Sequence, residues 1–220
     1  MAAETYYLLG TKASGINHLD TTTTVGTEAD DTNTSWAVDA TNALTNEYSD
    51  LYALVARAST TFTASAKPST IDTTNGNGWR LTSAAKSGTY PAGDWSFSFR
   101  IKGNASTTRQ GRVSFLLWKS ANADGSSGSA IGTAQVSSTS GNIGTGSQTL
   151  TATYDPGEIA LTSEYLFLLC AFQVTNANNT VTIFFRPGGA THSLTTTDFA
   201  TAESAVGTST ALRTTRRRRR

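Results

Sequence analysis

Chemistry in a protein begins with side chains that titrate, attack or ligate, and this chain uses them sparingly. Its histidines are His18 and His192, set far apart in separate polar segments. A Ser/His/Asp arrangement is spatial rather than sequential, yet no Gly-x-Ser-x-Gly elbow accompanies either histidine. Both therefore read as surface loop residues. Cys170 lies inside the apolar run Leu166-Phe167-Leu168-Leu169-Cys170-Ala171-Phe172. It reads as a small buried hydrophobe rather than a reactive thiol. As the single cysteine, it leaves no intrachain disulfide to form.

Sites for metals and phosphates are equally sparse. No grouping of His, Cys, Asp or Glu has metal-ligand spacing. The segment Asn122-Ala123-Asp124-Gly125-Ser126 faintly resembles the start of a calcium loop but lacks the later bidentate glutamate, so it reads as a hairpin turn. The glycines Gly141, Gly144 and Gly146 run in the reverse of the dinucleotide spacing, and no Gly-Lys-Ser/Thr loop is present. The expectation is a protein that binds and assembles, without cofactor or metal, rather than an enzyme.

Residues suited to recognition stand out more. Trp95 and Trp118 fall in phase with apolar strand residues and read as core. Trp79 follows a glycine-rich turn and is the tryptophan best placed to stack on a sugar ring. Trp36, in an acidic segment, reads as an anchor into a neighbouring subunit. Charge is split between the ends. Residues 1–50 carry eight carboxylates against Lys12 alone, a formal −7. The last eight residues carry Arg213, Arg216, Arg217, Arg218, Arg219 and Arg220. This basic run has three readings: a solubility tail or engineered scar, an arm for nucleic acid, or an assembly arm docking on acidic protein surface. The last is favoured, and nucleic acid is kept as a secondary partner.

These residues must be positioned by a scaffold, and composition indicates which kind. Only 15% of the 220 residues are charged, and Thr, Ser, Ala, Gly and Asn fill the gap. β-Branched Thr packs well on a pleated surface, while Gly, Asn and Ser supply turns. Trp95, Phe97, Phe99 and Ile101 alternate with Ser96, Ser98, Arg100 and Lys102, which predicts a strand with one buried aromatic face. Apolar stretches at 113–118, 165–174 and 181–185 predict further strands, with weaker Thr-rich ones at 130–136 and 149–154. Turn signals fall between them at 122–125, 155–157 and 176–179. Leu44, Tyr48, Leu51, Tyr52 and Val55 have helical spacing, which predicts one short helix over 42–57, although 52–57 would also serve as a strand.

The expected fold is therefore all-β: a two-sheet antiparallel sandwich, jelly-roll-like, with extended N- and C-terminal arms. The sandwich is expected at 78–198. An N-terminal arm and polar, acidic segment occupies 1–77, and a C-terminal arm with the arginine run occupies 199–220. No stretch approaches the roughly 18 apolar residues of a membrane span, and residues 1–10 lack signal-peptide features. Folding in a host cytoplasm, with no membrane partner, is the expectation.

One resemblance adds to this. Gly78-Trp79-Arg80-Leu81, then the run from Gly88 through Pro91, Gly93 and Trp95 to Ile101, is similar to a strand module of tailed-bacteriophage virion proteins. The strand from Arg112 to Lys119, the hairpin at 122–125 and the strand from Glu164 to Leu169 continue the likeness, which covers about residues 78–198. The resemblance implies a capsid decoration (cement) protein, or a related tail, neck or baseplate sandwich. It implies residence in the virion, self-association that includes trimers, and contact with other virion proteins such as the major capsid protein. A carbohydrate-binding adhesion module is the remaining alternative.

Overall fold

A computed structural model describes residues 3–12, 19–23, 35–38, 44–45, 57–59, 68–71, 78–103, 110–175, 181–185 and 193–201. These form fifteen strands: β1 (Ala3–Lys12), β2 (Leu19–Thr22), β3 (Ser35–Val38), β4 (Leu44–Thr45), β5 (Arg57–Ser59), β6 (Gly78–Arg80), β7 (Lys86–Tyr90), β8 (Trp95–Gly103), β9 (Gly111–Ser120), β10 (Ser129–Val136), β11 (Gln148–Tyr154), β12 (Ile159–Thr175), β13 (Val181–Phe185), β14 (Ser193–Asp198) and β15 (Ala200–Thr201). The chain is all-β, and its sheets are antiparallel and packed as a sandwich. One layer centres on β9 and β12, flanked by β10 and β6; the other on β8 and β14, flanked by β11 and β1. The layers are joined at one side through β2, which meets β6 in a single parallel bridge, Leu19 to Trp79.

The aromatic alternation predicted for β8 is what faces the two layers together. Trp95, Phe97, Phe99 and Ile101 are buried, while Ser96 is exposed and Ser98 and Arg100 half-buried. Phe115 of β9 meets Phe97 at 4.3 Å and Phe99 at 5.8 Å between ring centroids. Strand β9 is buried on both faces. Val113, Phe115 and Leu117 enter the main core. Leu116 and Trp118 form a second cluster on the outer side with Phe167 and Leu169, against which Ile71 packs. Cys170 lies in the main core, and burial pushes its thiol well above the ordinary range.

Strand β12, of 17 residues, carries two long ladders in succession. Its first part pairs with β7, from Ile159–Tyr90 to Glu164–Lys86. Its second part pairs with β9 over the ten positions from Tyr165–Ser120 to Val174–Gly111. Between them the register slips, and Ser163 takes a positive φ of 59°. Such a bulge bends the strand and re-aims the residues beyond it.

The predicted turns at 122–125 and 155–157 are present. Gly125 N–H donates to the Asn122 carbonyl, and Asp124 Oδ1 accepts from Ser126 N–H, as a hairpin turn requires. Asp155 Oδ1 accepts from Gly157 N–H and also from Gly93 N–H, tying two loops together. The turn read at 176–179 lies outside the described residues.

Two expectations need correction. Residues 1–77 were expected as an arm apart from the sandwich. Instead β1 lies between β14 and β2, with Tyr6 and Leu8 in the core, because every second residue of that strand is needed to close the apolar interior. Of the helix expected over 42–57, the described residues are Leu44, Thr45 and Arg57, and all three are in strands. Leu44 and Thr45 pair with Val38 and Ala37 of β3, and a short apolar run is readable either way. The rest of that span lies outside the described residues.

Phe115→Ala is expected to cost about 3–5 kcal/mol, since it removes a ring packed against two others. Ser96→Ala, on the exposed side of β8, should stay within about 0.5 kcal/mol. Thermal and denaturant unfolding followed by circular dichroism measures both.

Candidate functional site

The polar group most densely wired into the described residues sits where the first strand, β7 and the end of the chain meet. Glu4 and Tyr6 are two apart on β1 and share its inward face; Lys86 and Tyr90 are four apart on β7 and share one face there. The pairing of β7 with β12 sets their height, and the fold brings the two sets together across 80 residues of sequence.

Glu4 is the acceptor at the centre. Its Oε2 accepts from Tyr6 O–H at 2.5 Å, from Tyr90 O–H at 2.6 Å and from the Lys86 ammonium at 2.5 Å. Its Oε1 accepts from Lys86 at 2.6 Å. The same ammonium reaches the Tyr6 and Tyr90 oxygens at 3.0 and 3.3 Å. The Phe199 ring closes over it at 4.6 Å, a cation–π distance, and packs on Tyr90 at 4.6 Å. Tyr90 also meets the edge of Trp95 at 5.1 Å.

The electrostatics stem from partial burial with dense pairing. Burial alone would raise the Glu4 carboxyl. The hydrogen bonds from Lys86, Tyr6 and Tyr90, with the Lys86 charge, outweigh it and hold the group below its ordinary 4.5. Burial first pushes both phenols above their ordinary 10.0; the Glu4 carboxylate adds to it at Tyr6, and the neighbouring Tyr6 and then Glu4 add to it at Tyr90. At neutral pH Glu4 is therefore a carboxylate and both phenols are neutral.

The last described residues cross over this group as a strap. Ala200 and Thr201 pair with Thr89 and Gly88 of β7. Gly88 is needed there. Its φ is +152°, and a Cβ would lie 2.2 Å from the Ala200 carbonyl oxygen and 2.7 Å from the Phe199 ring. Both ends of the described chain are thus fastened at one place.

Beside the group opens a cleft of about 350 Å³, lined by Glu4, Tyr6, Lys86 and residues 21–23 and 81–84. Its walls are rich in hydroxyls, and its charged lining among the described residues is Glu4 and Lys86.

The residues singled out from the sequence lie elsewhere. Trp36 is in β3, where it pairs with Ile183 of β13. Arg213 and 216–220 lie outside the described residues, as do His18 and His192. Trp79, the candidate stacking residue of the carbohydrate-binding alternative, is 1% exposed: it packs in the core, because β6 sits between β12 and β2. Trp95 and Trp118 are buried, as their phase predicted. Among the described residues no group of three or more His, Cys, Asp or Glu is placed to hold a metal ion. The Glu4 group was missed because its members are far apart in sequence. The only local trace is the i, i+2 and i, i+4 spacing of Glu4/Tyr6 and Lys86/Tyr90.

A depressed carboxyl gives stability that is present above pH 4.5 and is lost as pH falls through the lowered folded value. Glu4→Gln should therefore lower stability at pH 7 by about 1–2 kcal/mol, the scale of hydrogen bonds to a charged group. It should also flatten the acid limb of the unfolding curve, read as midpoint against pH. An unchanged acid limb would show that Glu4 is not the group responsible.

No protein-family profile, no curated protein and no solved structure matches this chain.

Proposed function

We propose that this chain is a structural component of a bacteriophage virion, most specifically a capsid decoration protein. It braces the shell through contacts with copies of itself and with the major capsid protein. One observation carries the reading. The outer face of the layer formed by β1, β14, β8 and β11 is a hydroxyl surface laid out in rows. Thr5, Thr195, Ser96 and Thr153 stand in register across the four strands, and Tyr7, Ser193, Ser98 and Thr151 form the next row. Arg100 opposite Thr149 begins a third.

Such a face favours assembly for a physical reason. Burying a charge against a neighbour carries a large desolvation cost unless it is paired, whereas hydroxyls exchange water for protein partners at little net cost. Short β-branched and small side chains also lose little rotamer entropy on contact. The 19 residues after Thr201 could span about 65 Å if fully extended, which is ample to reach a neighbouring subunit with the arginines.

Cryo-electron microscopy of virions that carry this chain tests the proposal. Density on the outer head lattice is expected, and density confined to the tail would sink the decoration reading. Ser96→Lys combined with Thr151→Lys is expected to leave the unfolding midpoint nearly unchanged. It should abolish co-sedimentation of the purified protein with undecorated capsids; retained co-sedimentation would show that this face is not the contact.

A further inference from the structure

The cleft beside Glu4 is the feature that the assembly reading leaves unused, and its lining narrows what would fill it. Its volume, about 350 Å³, lies at the lower end of the range for small-molecule sites. Among the described residues its charged lining is one carboxylate and one ammonium already in contact with each other, so that pair offers an incoming ion no net attraction. It does offer directed hydrogen bonds. Glu4 Oε1 accepts from Lys86 alone, which leaves a lone pair toward an incoming donor. Thr82, 3% exposed, accepts from Leu166 N–H through its hydroxyl oxygen, and its own hydrogen meets no acceptor among the described residues. Ser83 and Thr23 add exposed hydroxyls at the mouth, and Leu81 and Ala84 supply an apolar patch.

A ligand that uses all of this is neutral, small, able both to donate and to accept, and apolar on one side. That is the description of a pyranose ring: hydroxyls around an edge and C–H bonds on a face. We infer that the cleft formed by β1, β2, the segment 81–84 and β7 is a binding site for a neutral sugar. Glu4 Oε1 accepts from a sugar hydroxyl, and Thr82 donates to one. The site is independent of the assembly face, which lies on the outer side of β1 where Thr5 and Tyr7 point, whereas Glu4 and Tyr6 point inward. Sugar binding by tryptophan stacking at Trp79 belonged to the carbohydrate-binding alternative; hydroxyl and carboxylate recognition is a different mode.

Saturation-transfer NMR on the full chain tests this with D-glucose, D-galactose and N-acetyl-D-glucosamine, with glycerol as control. At least one sugar should receive saturation where glycerol does not, with a Kd on the order of 1 mM. Ser83→Trp fills the mouth without touching the core and should weaken that signal at least tenfold at an unchanged unfolding midpoint. Thr82→Ser, which keeps the hydroxyl, should preserve it. An array of bacterial surface glycans then separates the sources: capture of glycans ending in the same sugar marks a cell-surface ligand, and binding of the free sugar alone marks a soluble one. No transfer to any sugar, transfer equal to that of glycerol, or a signal indifferent to Ser83→Trp overturns the inference. None of these outcomes bears on where the chain sits in a particle.

Discussion

The architecture depends on a single strand belonging to two hydrogen-bonded ladders. β12 pairs with β7 over its first part and with β9 over its second. A slip at 162–164 and the positive φ of Ser163 mark the change from one to the other, and the Ser163 N–H is taken up by Ser87 Oγ at 3.0 Å. A non-glycine residue in that region costs on the order of 1 kcal/mol. The ten-position pairing with β9 and the burial from Leu166 to Phe172 offset this several times over. From the bend onward the rest is placed. β7 is held on the short arm of β12, Lys86 and Tyr90 face β1, and the chain's last described residues find β7 as their edge.

The Glu4 group, by contrast, fastens the ends of the described chain and does not govern the core. Its members are only partly shielded from water, so the ion pair by itself contributes little. Its weight comes from one carboxylate serving three donors on two strands while an aromatic ring covers the ammonium. Removing the Glu4 carboxylate would leave the buried Tyr6 and Tyr90 hydroxyls without their acceptor, and buried unpaired hydroxyls are costly. The strap over Gly88 belongs to the same device, since it needs both the missing Cβ and the Phe199 contact.

The legible parts of the sequence are those in which one strand decides its own environment. The period of two from Trp95 to Ile101 gave a buried face and a polar face directly, and the continuous apolar runs at β9 and β12 gave strands buried on both sides. Asp155-Pro156-Gly157 and Asn122 to Gly125 gave turns, because their chemistry is local. What could not be read depends on which strands become neighbours. Trp79 looked exposed beside its glycines, yet β6 is inserted between β12 and β2. Residues 5–9 read equally as a strand or an arm, because the partner that decides it, β14, lies some 190 residues away. The bend at Ser163 leaves no mark in hydropathy, and the described lining of the cleft comes from three separate stretches of chain. The rows of hydroxyls were visible only as an excess of Thr and Ser, since their order appears only once the register between strands is set.

That register also explains why so low a charge content suits the molecule. A sheet with one aromatic face and one hydroxyl face hides its apolar surface within the sandwich and leaves outside a layer that is wettable yet inexpensive to dehydrate. Charge is then concentrated at the ends of the sequence, in the acidic first fifty residues and the terminal arginines. The two kinds of surface act over different ranges. Opposite charges attract across about a Debye length, roughly 8 Å at physiological salt, and weaken as salt rises. Hydroxyl contacts act only at hydrogen-bonding distance and are insensitive to salt. On the proposed assembly role, the charged ends would act at longer range and the hydroxyl face at contact, so that separate parts of the chain would serve approach and register.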